Sequence, residues 1–158
     1  MALILNIETS TKTCSVNLSK NGKSVGINEI TSEKYVHGEK LHLLIKDLFT
    51  SSNLSLKQLD AVGVSAGPGS FTGLRIGVAT AKGLTFGLDI PLISMNSLEI
   101  MINCYESISN NKKALFFPMI DAKRKEVYTA GFNFQKKQIT EISCQEINSE
   151  FLKNYENF

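Results

Sequence analysis

A carboxylate followed by three hydroxyls is the first set of side chains whose types could do chemistry. It consists of Glu8, Thr9, Ser10 and Thr11. Carboxylate and hydroxyl oxygens suit a hard cation, so this set could hold a magnesium-bound phosphate. The alternative is a hairpin turn whose hydroxyls bond to backbone groups. No second acidic ligand follows in a recognisable motif, so the sequence favours the turn.

A glycine-rich segment at residues 67–73, GPGSFTG, could hold an anion where a strand leads into a helix. It lacks the Gly-Lys-Ser/Thr ending of a Walker A loop, and its third glycine comes one residue too late for GxGxxG. The interpretation we favour is that the glycines serve turn geometry and close packing of the helix on the sheet. The candidate nucleotide-binding residues are Glu8, Ser10, Gly67, Gly69, Ser70, Thr72 and Gly73.

The histidines, His37 and His42, are five positions apart rather than four. On a helix that spacing separates them by about 500°, so they point away from each other. They are poor co-ligands for a metal, and we expect a core or a surface position for the histidines rather than a metal site.

A basic turn, Asp121-Ala122-Lys123-Arg124-Lys125-Glu126, places three basic residues together. Such a turn could contact the phosphate backbone of an RNA. Most such turns are only solvated surface, and the sequence leaves both interpretations open.

The composition is that of a globular protein, with 158 residues of which 42% are apolar and 20% charged. Seventeen basic and fifteen acidic residues leave a net charge of +2, far from the basic excess of a protein that grips nucleic acid alone. Any contact with RNA is therefore expected to be shared with a partner.

The three cysteines, Cys14, Cys104 and Cys144, are widely spaced and form no CxxC pair. This pattern argues against a disulfide framework and a zinc cage, and favours a reducing compartment. The amino terminus lacks the features of a signal peptide, and no apolar run approaches the roughly 20 residues that cross a bilayer. We expect a cytoplasmic protein.

The elements that must position these groups follow from the hydrophobic pattern. Residues 1–30 predict a three-stranded meander, with Asn21-Gly22 as a hairpin turn. Apolar residues at i, i+3, i+4 and i+7 from Leu41 predict a helix from His37 to about residue 52. A strand at 61–65, a helix at 74–88, a strand at 91–94 and a helix at 97–105 follow. The pattern predicts a mixed α/β fold.

A polar stretch at residues 107–113 is the predicted domain boundary, which gives domains 1–108 and 109–158. Beyond it we expect strands at 114–120, 126–134 and 138–144, and a short helix at 149–155.

The predicted second helix carries small residues at a spacing of four, Gly73, Gly77 and Ala81. Each helical glycine destabilises a helix by about 1 kcal/mol relative to alanine, so something must offset that loss. Small side chains let another backbone approach closely, and that neighbour is either the chain's own sheet or a helix of a partner.

The run SAGPGSFTGLRIGVATAKGL at residues 65–84 resembles the signature of the TsaB (YeaZ) family. The segment ILNIETS at residues 4–10 and His37 at the start of the first helix agree with that resemblance. It covers the first hundred residues in the right order.

This resemblance implies the actin-like ATPase fold, which is ribonuclease H-like, with a central mixed sheet flanked by helices. It also implies a non-catalytic subunit of the complex that forms N6-threonylcarbamoyladenosine next to the anticodon of tRNAs that read ANN codons. The partners implied are the catalytic TsaD subunit, the TsaE ATPase and tRNA, with a homodimer when TsaD is absent. The interface with TsaD would use the first two helices, and the residues we expect there are His37, Leu41, Leu43, Phe49, Arg75, Gly77 and Ala81.

Two departures accompany the resemblance. Family members usually have aspartate at the position of Glu8, and they continue past Phe158, which indicates a fragment or a reduced second domain. The metal chemistry of the catalytic subunit is expected to be absent, and no cofactor is expected to be required. A weak nucleotide-binding protein or ATPase is the alternative function, and a glycoprotease-like peptidase is a more remote one.

Overall fold

The structure, a computed structural model, describes residues 2–33, 36–105, 113–148, 150–151 and 153. It divides into two compact units, Met1–Ser97 and Leu98–Phe158. Each unit is described here by itself. No helix among the described residues is long and apolar enough to cross a membrane.

The first unit is built on a five-stranded mixed sheet whose order is β3-β2-β1-β4-β5. Strands β1 to β3 pair antiparallel, whereas β4 pairs parallel with both β1 and β5. Their bounds are Leu3–Glu8 for β1, Thr13–Lys20 for β2, Lys23–Thr31 for β3, Ala61–Ser65 for β4 and Leu92–Met95 for β5. The predicted meander and the predicted buried strand at 61–65 are confirmed.

Two helices, α1 (His37–Ser51) and α2 (Phe71–Leu88), pack on the same face of this sheet. Alternate residues of the central strands, such as Leu5, Val16 and Val62, are fully buried beneath them. From α1, the predicted stripe of Leu41, Ile45 and Leu48 is buried. The periodicity of the sequence therefore identified the inner side of α1 correctly.

Helix α2 begins at Phe71, three residues before the predicted start. Ser70 is its N-cap, and the Gly73 N–H donates to Ser70 Oγ over 3.2 Å. This bond satisfies one of the free donors of the first turn, which is why the helix can start inside the glycine-rich segment. The helix ends at Leu88, and the residue that caps it, Asp89, has a left-handed φ of 54°.

The second unit contains most of α3 (Ser97–Cys104) and an antiparallel sheet in the order β6-β7-β8. These strands are Met119–Lys123, Glu126–Thr129 and Ser143–Glu146. Its core consists of Leu98, Ile102, Ile120, Ala130 and Phe132. Because two residues of α3 contribute to that core, the units divide at Ser97/Leu98, earlier than the predicted boundary after residue 108, which lies outside the described residues.

The strands of the second unit are shorter than predicted. The first begins at Met119 rather than at residue 114, because Pro118 has no N–H to donate to a ladder. Ahead of it, Phe116 and Phe132 exchange both backbone hydrogen bonds, at 2.8 and 2.9 Å, as an isolated bridge. The second strand ends at Thr129, and the third starts at Ser143. The helix predicted at 149–155 lies largely outside the described residues.

Candidate partner interface and phosphate turn

The turn after β1 is closed by its own carboxylate. The Ser10 N–H donates to Glu8 Oε1 over 2.6 Å. Thr9 and Ser10 are buried, with 0% and 3% of their surface exposed. The Thr9 N–H lies 3.4 Å from Ser65 Oγ at the end of β4. The hairpin turn favoured by the sequence is therefore what forms.

The glycine-rich segment packs directly on this turn. The Ser70 N–H donates to the Ser10 carbonyl over 2.7 Å. A side chain at Gly69 would collide with the same carbonyl. The fold thus brings together four of the candidate nucleotide-binding residues, Glu8, Ser10, Gly69 and Ser70. These residues contact one another.

Gly67 and Thr72 lie apart from that cluster. The Gly67 carbonyl accepts the Ser97 N–H over 2.8 Å, and Thr72 is exposed in the first turn of α2. A phosphate bound at a turn that leads into a helix needs free backbone N–H donors. Here the N–H groups of Ser10, Ser70 and Gly73 already have acceptors, and Glu8 adds a negative charge. These three N–H groups are therefore not free to bind a phosphate.

Two of the small residues of α2 face inward. An added Cβ at Gly73 would collide with the Thr9 carbonyl, and one at Gly77 would collide with Thr9 Oγ1. The helix therefore approaches the turn after β1 as closely as a backbone can. This is the close helix–sheet packing that the sequence favoured for the glycines.

Most residues predicted for the partner interface lie in the core of this chain, which corrects that assignment. Their exposed fractions are 1% for His37, 0% for Leu41, 6% for Phe49 and 0% for Ala81, and Gly77 is also buried. They pack inward because their stripes are the ones that cover the sheet. Only Leu43, which is 50% exposed, and Arg75 lie on the surface.

The outer side of α2 carries a different set, which sequence reasoning did not assign. Ala79, Gly83 and Phe86 fall at i, i+4 and i+7 and share one face of the helix. Phe86 is 92% exposed. Among the described residues, none comes within 4 Å of a Cβ added at Gly83 or Gly87. The sequence did contain a signal for this face, because Ala79, Gly83 and Gly87 form a second set of small residues beside Gly73, Gly77 and Ala81.

A groove of about 450 Å³ runs between α1 and α2 on this outer side. We call it the helix-pair groove. Its lining residues are His42, Ile45, Ala79, Thr80, Gly83 and Leu84. The walls are mainly apolar, and the small residues of α2 leave room for a side chain or a helix to enter.

An exposed aromatic residue marks the start of the same helix. Phe71 is 68% exposed, and the guanidinium of Arg75 lies 3.8 Å from the centre of its ring. Stacking of a cation on an aromatic face is favourable by about 0.5 to 1 kcal/mol at exposed sites. This pair holds Arg75 along the surface of α2.

The two histidines diverge, as predicted. His37 is buried at the start of α1, whereas His42 is exposed in the helix-pair groove. Among the residues that the structure describes, no group of three histidine, cysteine, aspartate or glutamate side chains is placed to hold a metal ion.

The cysteines are free thiols, with Cys14 buried and Cys104 and Cys144 exposed. Burial raises the pKa of Cys14 to about 11. Desolvation, and then the charge and hydrogen bond of Glu126, raise the pKa of Cys144. Neither group is an activated nucleophile, because activation requires a lowered thiol pKa.

Comparisons with known proteins agree with this architecture. The family model for TsaD, tRNA N6-adenosine threonylcarbamoyltransferase, matches residues 27–152. The Haemophilus influenzae tRNA threonylcarbamoyladenosine biosynthesis protein TsaB is 36% identical over 79% of this chain and 51% of its own length. The chain spans about half the length of the curated relatives it matches.

Solved structures show the same fold. YeaZ from Pseudomonas aeruginosa superposes with a TM-score of 0.79 at 26% identity, over 91% of this chain and 66% of that one. The activator of 2-hydroxyisocaproyl-CoA dehydratase from Clostridium difficile, solved with ADPNP, superposes with a TM-score of 0.51 at 15% identity, over 92% of this chain and 45% of its own. The second likeness concerns the actin-like fold alone. From the family model, the relatives and the YeaZ fold together, the chain belongs to the TsaB (YeaZ) family.

Proposed function

We propose that this chain is a non-catalytic subunit of the machinery that forms N6-threonylcarbamoyladenosine in tRNA, and that it binds and activates the catalytic TsaD subunit. The observation that carries the proposal is the exposed face of α2, with Phe86 and Gly83 beside the helix-pair groove.

The physical argument concerns residues that the chain's own packing does not explain. Phe86 leaves a large apolar side chain in water on the face of α2 that also carries Ala79 and Gly83, two residues that line the groove. Glycine in an exposed helix interior destabilises the helix by about 1 kcal/mol relative to alanine. At Gly83 no contact within the described residues requires it. Close approach of a partner helix would account for both.

A scaffolding role is also supported by the chemistry of the turn after β1. The N–H groups of Ser10, Ser70 and Gly73 are bonded within the chain, and this proposal does not require ATP. A peptidase needs an activated nucleophile or a metal pair. Cys14 and Cys144 are not activated nucleophiles, because their pKa values are raised. His37 and His42 do not form a metal pair, because one is buried and the other is exposed.

The proposal extends to the rest of the assembly. TsaE and tRNA would join through the complex with TsaD, in the bacterial cytoplasm. When TsaD is absent, a second copy of this chain would occupy the helix-pair groove, because the same apolar face is available to it.

Light scattering coupled to size exclusion tests the proposal with the chain and purified TsaD. We expect a heterodimer for the natural sequence. Gly83→Arg should abolish it, because a long charged side chain would fill the groove. Gly83→Ala is the matched control, since it changes the helix at the same place without bulk or charge, and it should retain the heterodimer.

Circular dichroism of both variants verifies that the helices remain. A natural chain that never associates with TsaD would overturn the partner assignment. A Gly83→Arg variant that binds TsaD normally would show that the groove is not the interface.

A further inference from the structure

Two tight hairpins among the described residues each have a two-residue loop, but the residues in the two loops differ. In the first unit, Lys20 pairs with Lys23, and the two-residue loop between them is Asn21-Gly22 with φ of 53° and 76°. In the second unit, Lys123 pairs with Glu126 across a two-residue loop. Both loops require left-handed backbone at both positions.

The second loop is Arg124-Lys125, with φ of 55° and 67°. Asparagine and glycine accept this conformation easily, whereas long side chains with a Cβ do not. Lys123 is also left-handed, with φ of 71°. Three consecutive basic residues thus sit where turn geometry favours other residues, and strained backbone of this kind concentrates at functional positions.

The charges at the tip are not all available. Asp121 accepts the Lys123 N–H over 2.8 Å and its ammonium over 2.6 Å. Within the described part of the chain, Arg124 and Lys125 form no ion pair, and both side chains are exposed. The hairpin therefore presents two adjacent cations at its end and holds the third against its base.

We infer that Arg124 and Lys125 bind the phosphate backbone of an RNA, an inference that rests on the proposed function and places its tRNA substrate at this hairpin. An arginine beside a lysine at a rigid tip can contact neighbouring phosphates, which fixes position without reading sequence. A net charge of +2 for the whole chain means that this contact adds to a larger surface supplied by the complex.

The test is the salt dependence of tRNA binding. A fluorescent transcript of a tRNA that reads an ANN codon is titrated with the chain–TsaD complex, by anisotropy, at several KCl concentrations. Each phosphate contact contributes a slope of about 0.7 to 0.9 to the plot of log affinity against log salt. Arg124→Gln with Lys125→Gln should therefore reduce the slope by about 1.5 and weaken binding at every concentration.

Two controls bracket that result. Lys20→Gln with Lys23→Gln removes the same charge from the other hairpin tip and should leave the slope unchanged. Arg124→Lys with Lys125→Arg keeps both charges and should keep the slope. An unchanged slope for the neutral variant would overturn the inference, as would a full loss of the heterodimer, which would assign the hairpin to an acidic surface of TsaD.

The failure of the proposed function is measured separately, by the mass of the complex in light scattering. If the natural chain does not pair with TsaD, the same titration with the chain alone still compares the two hairpins. A slope that differs between the natural chain and the Arg124/Lys125 variant then supports RNA binding, and equal slopes overturn it.

Discussion

The Ser10 N–H donates to Glu8 Oε1 over 2.6 Å, so the Glu8 carboxylate occupies a donor that an incoming anion could otherwise use. Glutamate reaches two residues forward within its own turn. The turn after β1 is consequently closed by the chain itself.

The Glu8 bond should contribute to stability. Glu8→Ala removes the acceptor of a buried N–H, and hydrogen bonds to charged groups contribute about 1.5 to 3 kcal/mol. We expect the free energy of unfolding, measured by urea denaturation, to fall by that amount. Glu29→Ala on the exposed edge strand is the control and should change it little. Equal losses in the two variants would contradict a specific role for Glu8.

Two glycines on different faces of α2, Gly77 and Gly87, should show opposite changes in stability when each is replaced by alanine. At Gly87 the added methyl meets open space, so Gly87→Ala should raise the free energy of unfolding by about 1 kcal/mol. At Gly77 it collides with Thr9 Oγ1, and overpacking typically costs about 1 to 3 kcal/mol. Thermal melts of both variants test this. A stabilised Gly77→Ala would show that Thr9 can move aside.

The thiols should differ in reactivity. With a disulfide reagent near neutral pH, Cys104 should react first. Cys144 should react more slowly, because desolvation and then Glu126 raise its pKa and lower its thiolate fraction. Glu126→Gln should accelerate Cys144. Cys14, with a pKa of about 11, should react only on unfolding. Labelling followed by peptide mass spectrometry separates the three.

Cys14 also sets a limit on stability at high pH. Its pKa rises from 9.0 in the unfolded chain to about 11 in the folded one, so the folded state holds the proton more tightly. The contribution is complete below pH 9 and is lost as the pH rises through 11. Denaturation curves of the natural chain and of Cys14→Ala should converge in that window. Parallel curves throughout would mean that another group dominates.

The basic hairpin should be more stable with ordinary turn residues. Arg124→Asn with Lys125→Gly relieves left-handed strain of about 1 to 2 kcal/mol per residue. We expect a higher melting temperature together with weaker tRNA binding. A variant that is less stable than the natural chain would show that the two side chains support the fold.

The first unit could be predicted well because its signals are local. Asn21-Gly22 fixes a hairpin, and the stripe from Leu41 fixes the inner side of α1. The partner interface could not be predicted in the same way. Small residues line two sides of α2, and only the position of Thr9 shows that Gly77 faces inward while Gly83 faces out.

The second unit was harder for a related reason. The apolar run before Pro118 is typical of a strand, yet the ladder starts only at Met119. Before Pro118, pairing depends on Phe132, which forms only an isolated bridge with Phe116. The local sequence pattern contains no information about this partner. The left-handed conformation of Arg124 and Lys125 had no signal either, because neither residue type favours it.

The position of β1 in the middle of its sheet has a consequence for how the protein acquires its structure. The meander of β1 to β3 joins neighbours in sequence and can form early, since local pairings require little loop closure. The other edge of β1 waits for β4, with Leu5 opposite Val62. During synthesis, β1 leaves the ribosome before α1 and β4, so one edge of β1 stays unpaired until β4 has emerged. The order of assembly therefore follows from the strand order.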